Sequence, residues 1–130
     1  MIWGDILCER LLNEDEIRCG VAEAFAIDSV EVAVVPSIEH LPKQLPFVIL
    51  RQVSGDFACC AEVFLADEHP GPRVDALVRF ARSVSCRVLT DTELNVDFDP
   101  FDLTLAEPSG RARRVTMDLD DEEDDVYRLR

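Results

Sequence analysis

Two apolar runs, Phe47–Val53 and Ala58–Leu65, stand on either side of Ser54-Gly55-Asp56. Runs of that length around a Gly-containing turn predict a β-hairpin. A strand with one wet face alternates apolar and polar residues. These two strands are almost continuously apolar, so cover is expected on both of their faces, at least in part. A chain built around such a hairpin needs further layers. At 130 residues, 48% of them apolar, this one is long enough to supply them in a single domain.

Two helices are expected as those layers. Asn13 is placed to cap the first, with Glu16 three residues on as in a capping box. Leu12 and Ile17 occupy the positions of a hydrophobic staple, and Ile17, Val21, Ala24 and Phe25 follow at helical spacing. Glu14, Asp15 and Glu16 suit the positive end of the helix dipole. The reading is a helix over about 14–27. Pro72 suits the first turn of a second helix, about 72–85, with Val74, Leu77, Val78, Ala81 and Val84 on one face. Ile2–Cys8 reads as a strand or short helix. Val30–Val35 is β-branched and reads as a strand ended by Pro36, and residues 37–46 as a loop. Cys86–Thr90 reads as a short strand.

From Thr90 the pattern changes. Leu94, Val96 and Phe98 alternate with Asn95, Asp97 and Asp99, and after Pro100 the residues Phe101, Leu103 and Leu105 alternate with Asp102 and Thr104. Strict alternation predicts strands with one wet face. Arg111–Leu119 returns as a final strand, with Arg113 and Arg114 expected across from the preceding acids. The order is (β)-α-β-β-β-α-β-β-β, with about three strands after each helix, as a distant internal duplication would give, although no residue-level repeat accompanies it. The fold class expected is α+β, a largely antiparallel sheet with two helices on one face. The domain covers 1–119, and 120–130 forms an acidic C-terminal tail.

Charge decides which partners suit such a domain. There are 27 acidic residues against 13 basic ones, a net charge of −14, and seven of the acids fall within Asp118–Asp125. Nucleic acids and anionic membranes attract proteins through Lys and Arg, so neither is expected as a partner. A basic protein would be steered in, at a rate that falls with salt. The bases are twelve Arg and one Lys, Lys43. That bias fits a GC-rich bacterial genome, and also two-pronged arginine–carboxylate pairs. Candidate partner contacts are Asp97, Asp99, Phe101 and Asp102, and Asp118, Asp120, Asp121, Glu122, Glu123 and Tyr127. They combine carboxylates with aromatic anchors, the mixture by which interfaces join steering to affinity.

The motifs of chemistry are missing. There is no GxxxxGK[ST], GxGxxG or GxSxG sequence, and Asp97–Asp102 lacks the glycine and regular offsets of a calcium loop. Cys59 and Cys60 are adjacent in a strand and point to opposite faces, which does not suit one metal ion. The five cysteines, Cys8, Cys19, Cys59, Cys60 and Cys86, lie in apolar surroundings with no CxxC pair. Free thiols of this kind behave as small hydrophobes and fit a reducing bacterial cytoplasm. His40 and His69 fall in proline-containing loops and read as surface histidines. Met1-Ile-Trp-Gly-Asp does not open a signal peptide, and no stretch has the length of a membrane span. The expectation is a non-enzymatic protein with no cofactor and no metal.

In size, acidity and α+β order, in the hairpin Phe47–Leu65 and in the segment Phe80-Ala-Arg-Ser-Val-Ser-Cys-Arg-Val-Leu-Thr-Asp91, the chain resembles the small acidic immunity proteins that bacteria encode beside polymorphic or contact-dependent toxins. The resemblance covers the whole length in outline, with no motif matched residue by residue. It implies an inhibitor of a cognate toxin, often a basic nuclease whose active site the acids would block. A structural or adaptor module, a homodimer joined through strand edges or the apolar hairpin, is the alternative reading.

Overall fold

The computed structural model describes residues 2–37, 39, 44–91, 102–116 and 126–129. Along them run β1 (Ile2–Cys8), α1 (Glu14–Phe25), a 3₁₀ turn (Ser29–Glu31), β2 (Ala33–Val35), β3 (Phe47–Gln52) and β4 (Ser54–Gly55). Then come β5 (Cys59–Phe64), α2 (Arg73–Val84), β6 (Val88–Asp91), β7 (Asp102–Ala106), β8 (Ala112–Thr116) and β9 (Val126–Tyr127). Seven strands form one sheet in the order β2-β3-β5-β1-β6-β7-β8, and β4 pairs with β9 separately. Within the large sheet every neighbouring pair is antiparallel except β2 with β3. The fold is α+β, in the element order expected.

Each helix connects two parallel strands that have one antiparallel strand between them. Helix α1 lies between β1 and the β2/β3 pair, and β5 separates β1 from β3. Helix α2 joins β5 to β6, and β1 separates those two. The result is two interlocked split β-α-β units. The two units share one topology.

Local chemistry sets the helix ends. The Asn13 side chain accepts the Glu16 amide hydrogen at 2.8 Å, and Glu16 Oε1 accepts that of Asn13 at 3.2 Å, which completes the capping box. The helix stops at Phe25, two residues short of the expected 27, because Ala26 adopts the left-handed conformation (φ 55°). Pro72 caps α2 from outside the first turn, and Ser85 ends it in the same left-handed way (φ 56°). The expected strand over Val30–Val35 is shortened to Ala33–Val35. Asp28 accepts the Val30 amide hydrogen at 3.2 Å and stabilises a turn there, leaving Val30 84% exposed. Arg113 and Arg114 do not face the preceding acids: the register sets them opposite Leu105 and Thr104.

Both helices pack on one face of the sheet. Ile17, Val21 and Ala24 of α1 and Leu77, Phe80 and Ala81 of α2 share one buried cluster with Ile6, Val48, Ala61, Val63 and Val88 of the sheet. The other face holds a second cluster, Leu7, Val53, Phe57, Cys60, Leu89, Leu103 and Leu105, with Val115, Tyr127 and Leu129 packed against it. The hairpin strands are therefore apolar on both sides because both sides are covered in part. Among the described residues no helix is long and apolar enough to cross a membrane.

The two helices approach each other at Gly20. A Cβ at that position would stand 2.8 Å from Phe80 Cε2 and 3.0 Å from Val84 Cγ1. Phe80 is fully buried and cannot swing aside without opening the core. Gly20→Ala should therefore destabilise the fold by about 1–3 kcal/mol through overpacking, although alanine is the better helix former. Urea unfolding measures the change, and a rise in midpoint would show that the helices separate freely.

Candidate functional site

Alternation along the strands distributes charge unevenly between the two sheet faces. In β1, Asp5 shares the helix-free face with Leu7, in β5 Glu62 shares it with Cys60, and in β6 Asp91 shares it with Leu89. Asp5 is directly opposite Glu62, and Leu7 directly opposite Leu89. Two positions along from the Leu7–Leu89 pair, Asp5 and Asp91 are level. Ile49 of β3 flanks Glu62 on one side and Leu103 of β7 flanks Asp91 on the other. Three carboxylates thus form a row across the three middle strands, bounded by apolar side chains.

Carboxylates placed side by side repel one another and resist losing their protons together. Burial is the main cause that raises the Asp5 pKa above the ordinary carboxylate value. Glu62 adds to the rise, Arg51 opposes it, and Asp91 adds to it again. Arg51 is the cation at this row. Its Nε stands 3.6 Å from Glu62 Oε1, and its Nη2 donates to the Tyr127 hydroxyl at 3.4 Å.

Elsewhere several guanidinium groups are engaged within the fold. Arg79 donates twice to the Ala24 carbonyl at the end of α1, at 3.2 and 2.8 Å. Arg73 donates to the Trp3 carbonyl at 2.7 Å and lies 4.0 Å over the Trp3 ring. Arg18 holds Glu14, Asp15 and the Val32 carbonyl. Arg87 holds Glu9, with Nε to Oε2 at 2.6 Å.

The candidate partner residues fall into three groups. Asp97, Asp99, Phe101, Asp118, Asp120, Asp121, Glu122 and Glu123 lie outside the described residues. Asp102 opens β7 opposite Thr116, the last residue of β8. Asp91, Asp102 and Thr116 stand at one end of the sheet, and the chain enters or leaves both acid-rich segments, 92–101 and 117–125, through them. That end adjoins the Glu62–Asp5–Asp91 row. Tyr127 sits at a different place, in β9, half-buried on the helix-free face. Residues 126–129, placed in the tail by composition, are held to the hairpin turn. The Asp56 amide donates to the Tyr127 carbonyl at 2.7 Å, and the Leu129 amide donates to Asp56 Oδ2 at 2.9 Å. Gly55 (φ 96°) permits this approach, because a Cβ there would collide with the Tyr127 backbone.

The carboxylate row escapes a reading of composition, since Asp5 and Glu62 are lone acids inside apolar runs. A lone acid in a buried strand was the available signal. His69 lies in a loop, edge-on to Phe25 at 5.1 Å, and burial followed by the charge of Arg79 lowers its pKa. It lines a cavity of about 350 Å³ together with Phe25, Leu45, Leu65, Glu31 and Glu68. His40 lies outside the described residues. Among the described residues no group of three or more His, Cys, Asp or Glu side chains is arranged to hold a metal ion.

The raised pKa of Asp5 gives a signed prediction. A carboxyl that binds its proton more tightly in the folded state favours folding below its folded pKa and opposes it above. Asp5→Asn should therefore stabilise the protein at neutral pH, by less than about 1 kcal/mol because the group is solvent-screened. The gain should fade as pH falls through the carboxylate range. Urea midpoints at pH 7 and at pH ~3 measure it; equal gains at both would remove charge repulsion as the cause.

The chain matches no family model, no curated protein and no solved structure.

Proposed function

We propose that this is a non-enzymatic acidic binding protein, an immunity-type inhibitor that covers the basic surface of a partner such as a toxin nuclease. The carboxylate row Glu62–Asp5–Asp91 carries the reading. Like charges gathered on one sheet face cost folding energy, and a cationic partner would relieve that cost on binding. The flanking apolar residues Ile49 and Leu103 give the row the mixed character of an interface. The acid-rich segments joined to the same end of the sheet extend the negative field, and the net charge of −14 draws a basic protein in from a distance. Carboxylates of Asp97–Asp102 and Asp118–Asp125 would meet Arg and Lys of the partner, with Phe101 as the aromatic anchor between them, since Tyr127 already packs against the helix-free face at the hairpin turn. The reading places the protein in the cytoplasm of a bacterium, where its five thiols stay reduced.

The homodimer reading has less support. The apolar hairpin strands β3 and β5 lie inside the sheet, between β2 and β1. The edge strand β2 is three residues long, and the edge strand β8 exposes Arg113 and Arg114. Short and charged edges discourage strand-to-strand association.

A pull-down from the native cell at low salt, eluted at high salt, should yield one basic protein in stoichiometric amount. Its association rate should fall about tenfold between low and physiological ionic strength. Replacing Asp5, Glu62 and Asp91 together by their amides should slow association further while the protein stays folded by circular dichroism. A rate that ignores both salt and the triple substitution would reject the acidic face as the docking surface.

A further inference from the structure

Several parts of the chain meet where β5 finishes and β2 and β3 begin. They are the end of α1 with the 3₁₀ turn after it, the residues leading into β3, and the loop that leaves β5. Together they line the cavity of about 350 Å³ that holds His69. That volume is at the small end of ligand cavities, about 300–1,000 Å³. Its apolar wall combines the Phe25 ring with the side chains of Ile27 and Leu65. Leu45 continues the wall and is left 40% exposed. Such a wall suits a ligand with an aromatic or branched body.

Glu31, Asp67 and Glu68 line the same cavity, and all three are exposed. Glu9, Glu14, Asp15, Glu16 and Glu62 each pair with an arginine. Glu31, Asp67 and Glu68 make no such pair among the described residues, and no lysine or arginine lines the cavity there. Helix α1 adds to the negative field. Its last turn carries no basic residue, and the carbonyls at a helix C-terminus bear partial negative charge. Arg79 answers one of those carbonyls, that of Ala24. Burial, and then the charge of Arg79, hold His69 below its ordinary pKa, so at neutral pH it brings no cation of its own.

The chemistry of this lining selects among ligands. An uncharged apolar molecule would leave the carboxylates without a partner. A metal ion would gain nothing from the apolar wall, and the described acids are not arranged to hold one. We propose that the cavity binds a small organic ammonium, one positive group carried on an aromatic body. The ring packs against Phe25, Ile27 and Leu65, and the ammonium donates to the carboxylates of Glu31 and Glu68. This site belongs to the helix side of the sheet, with Phe25 and Leu65 in the helix-side cluster, whereas the carboxylate row Glu62–Asp5–Asp91 lies on the other face.

The probe is 2-phenylethylammonium, titrated into the full chain at pH 7 and physiological ionic strength, with amide shifts followed by nitrogen-15 NMR. Saturable shifts should centre on residues 25–31 and 65–70, with a Kd at or below about 1 mM. The alcohol 2-phenylethanol is close in size but uncharged, and should bind at least about tenfold more weakly. Ethylammonium keeps the charge and loses the ring, and should weaken by a similar factor. Glu31→Gln combined with Glu68→Gln should cost the probe about tenfold in affinity and leave the alcohol unchanged. Both positions are exposed, so circular dichroism should show the fold intact. Ile27→Trp should fill the cavity and remove binding of both compounds. Asp5→Asn combined with Asp91→Asn should leave the probe's affinity as it was, which separates a built site from general attraction to an acidic surface. Shifts centred on the carboxylate row, equal affinities for the ammonium and the alcohol, or no saturable shift would each overturn the proposal.

Discussion

Strand β1 is the constraint on which the rest of the structure depends. It lies at the middle of the seven-stranded sheet and pairs with β5 on one side and β6 on the other. Both neighbours come from far along the chain, so β1 can be satisfied only when the two halves meet. Once it is paired, the two helices can cover only one face, since each connects strands separated by a single intervening strand. Alternation in β1 then settles the chemistry of both faces. Ile6 and Cys8 go to the helices, and Asp5 and Leu7 go to the other side.

Local chemistry made much of this fold legible. The Asn13–Glu16 capping box and the two apolar runs of the hairpin are contained in short windows, and both fold as those windows require. The departures share a cause, which is competition between a side chain and a neighbouring propensity. Asp28 takes the Val30 amide and turns a β-branched run into a 3₁₀ turn. Ala26 ends its helix in a conformation that favours glycine, which no helix-end signal marks. The carboxylate row was illegible for another reason. Asp5, Glu62 and Asp91 are far apart in sequence and meet only through register, and register between strands distant in sequence is not written in any one segment. Tyr127 was visible as an aromatic beside acids, but nothing local shows that β9 returns to the hairpin turn.

The arginines explain how so acidic a chain can fold. Guanidinium groups bridge α1 to the Val32 carbonyl, α2 to the end of α1, and α2 to the first strand. Each meets a carbonyl or carboxylate at a place where two elements join. A planar fork with several donors suits such junctions better than a single ammonium does. The strong bias toward arginine therefore has a structural use, whatever the coding sequence contributes. These arginines hold elements together, while Arg113 and Arg114 on β8 face solvent.

The pairing of β9 with β4 bears on the order in which the protein can be made. Val126 meets Ser54, and the Leu129 amide meets Asp56 across 73 positions of chain. Synthesis from the N-terminus delivers the hairpin long before the strand that lies against it. Until residues 126–129 have emerged, the apolar side chains around Cys60 and Leu89 lack part of their cover. A chain cut short before that point keeps both helices and the whole large sheet but presents a partly bare apolar face.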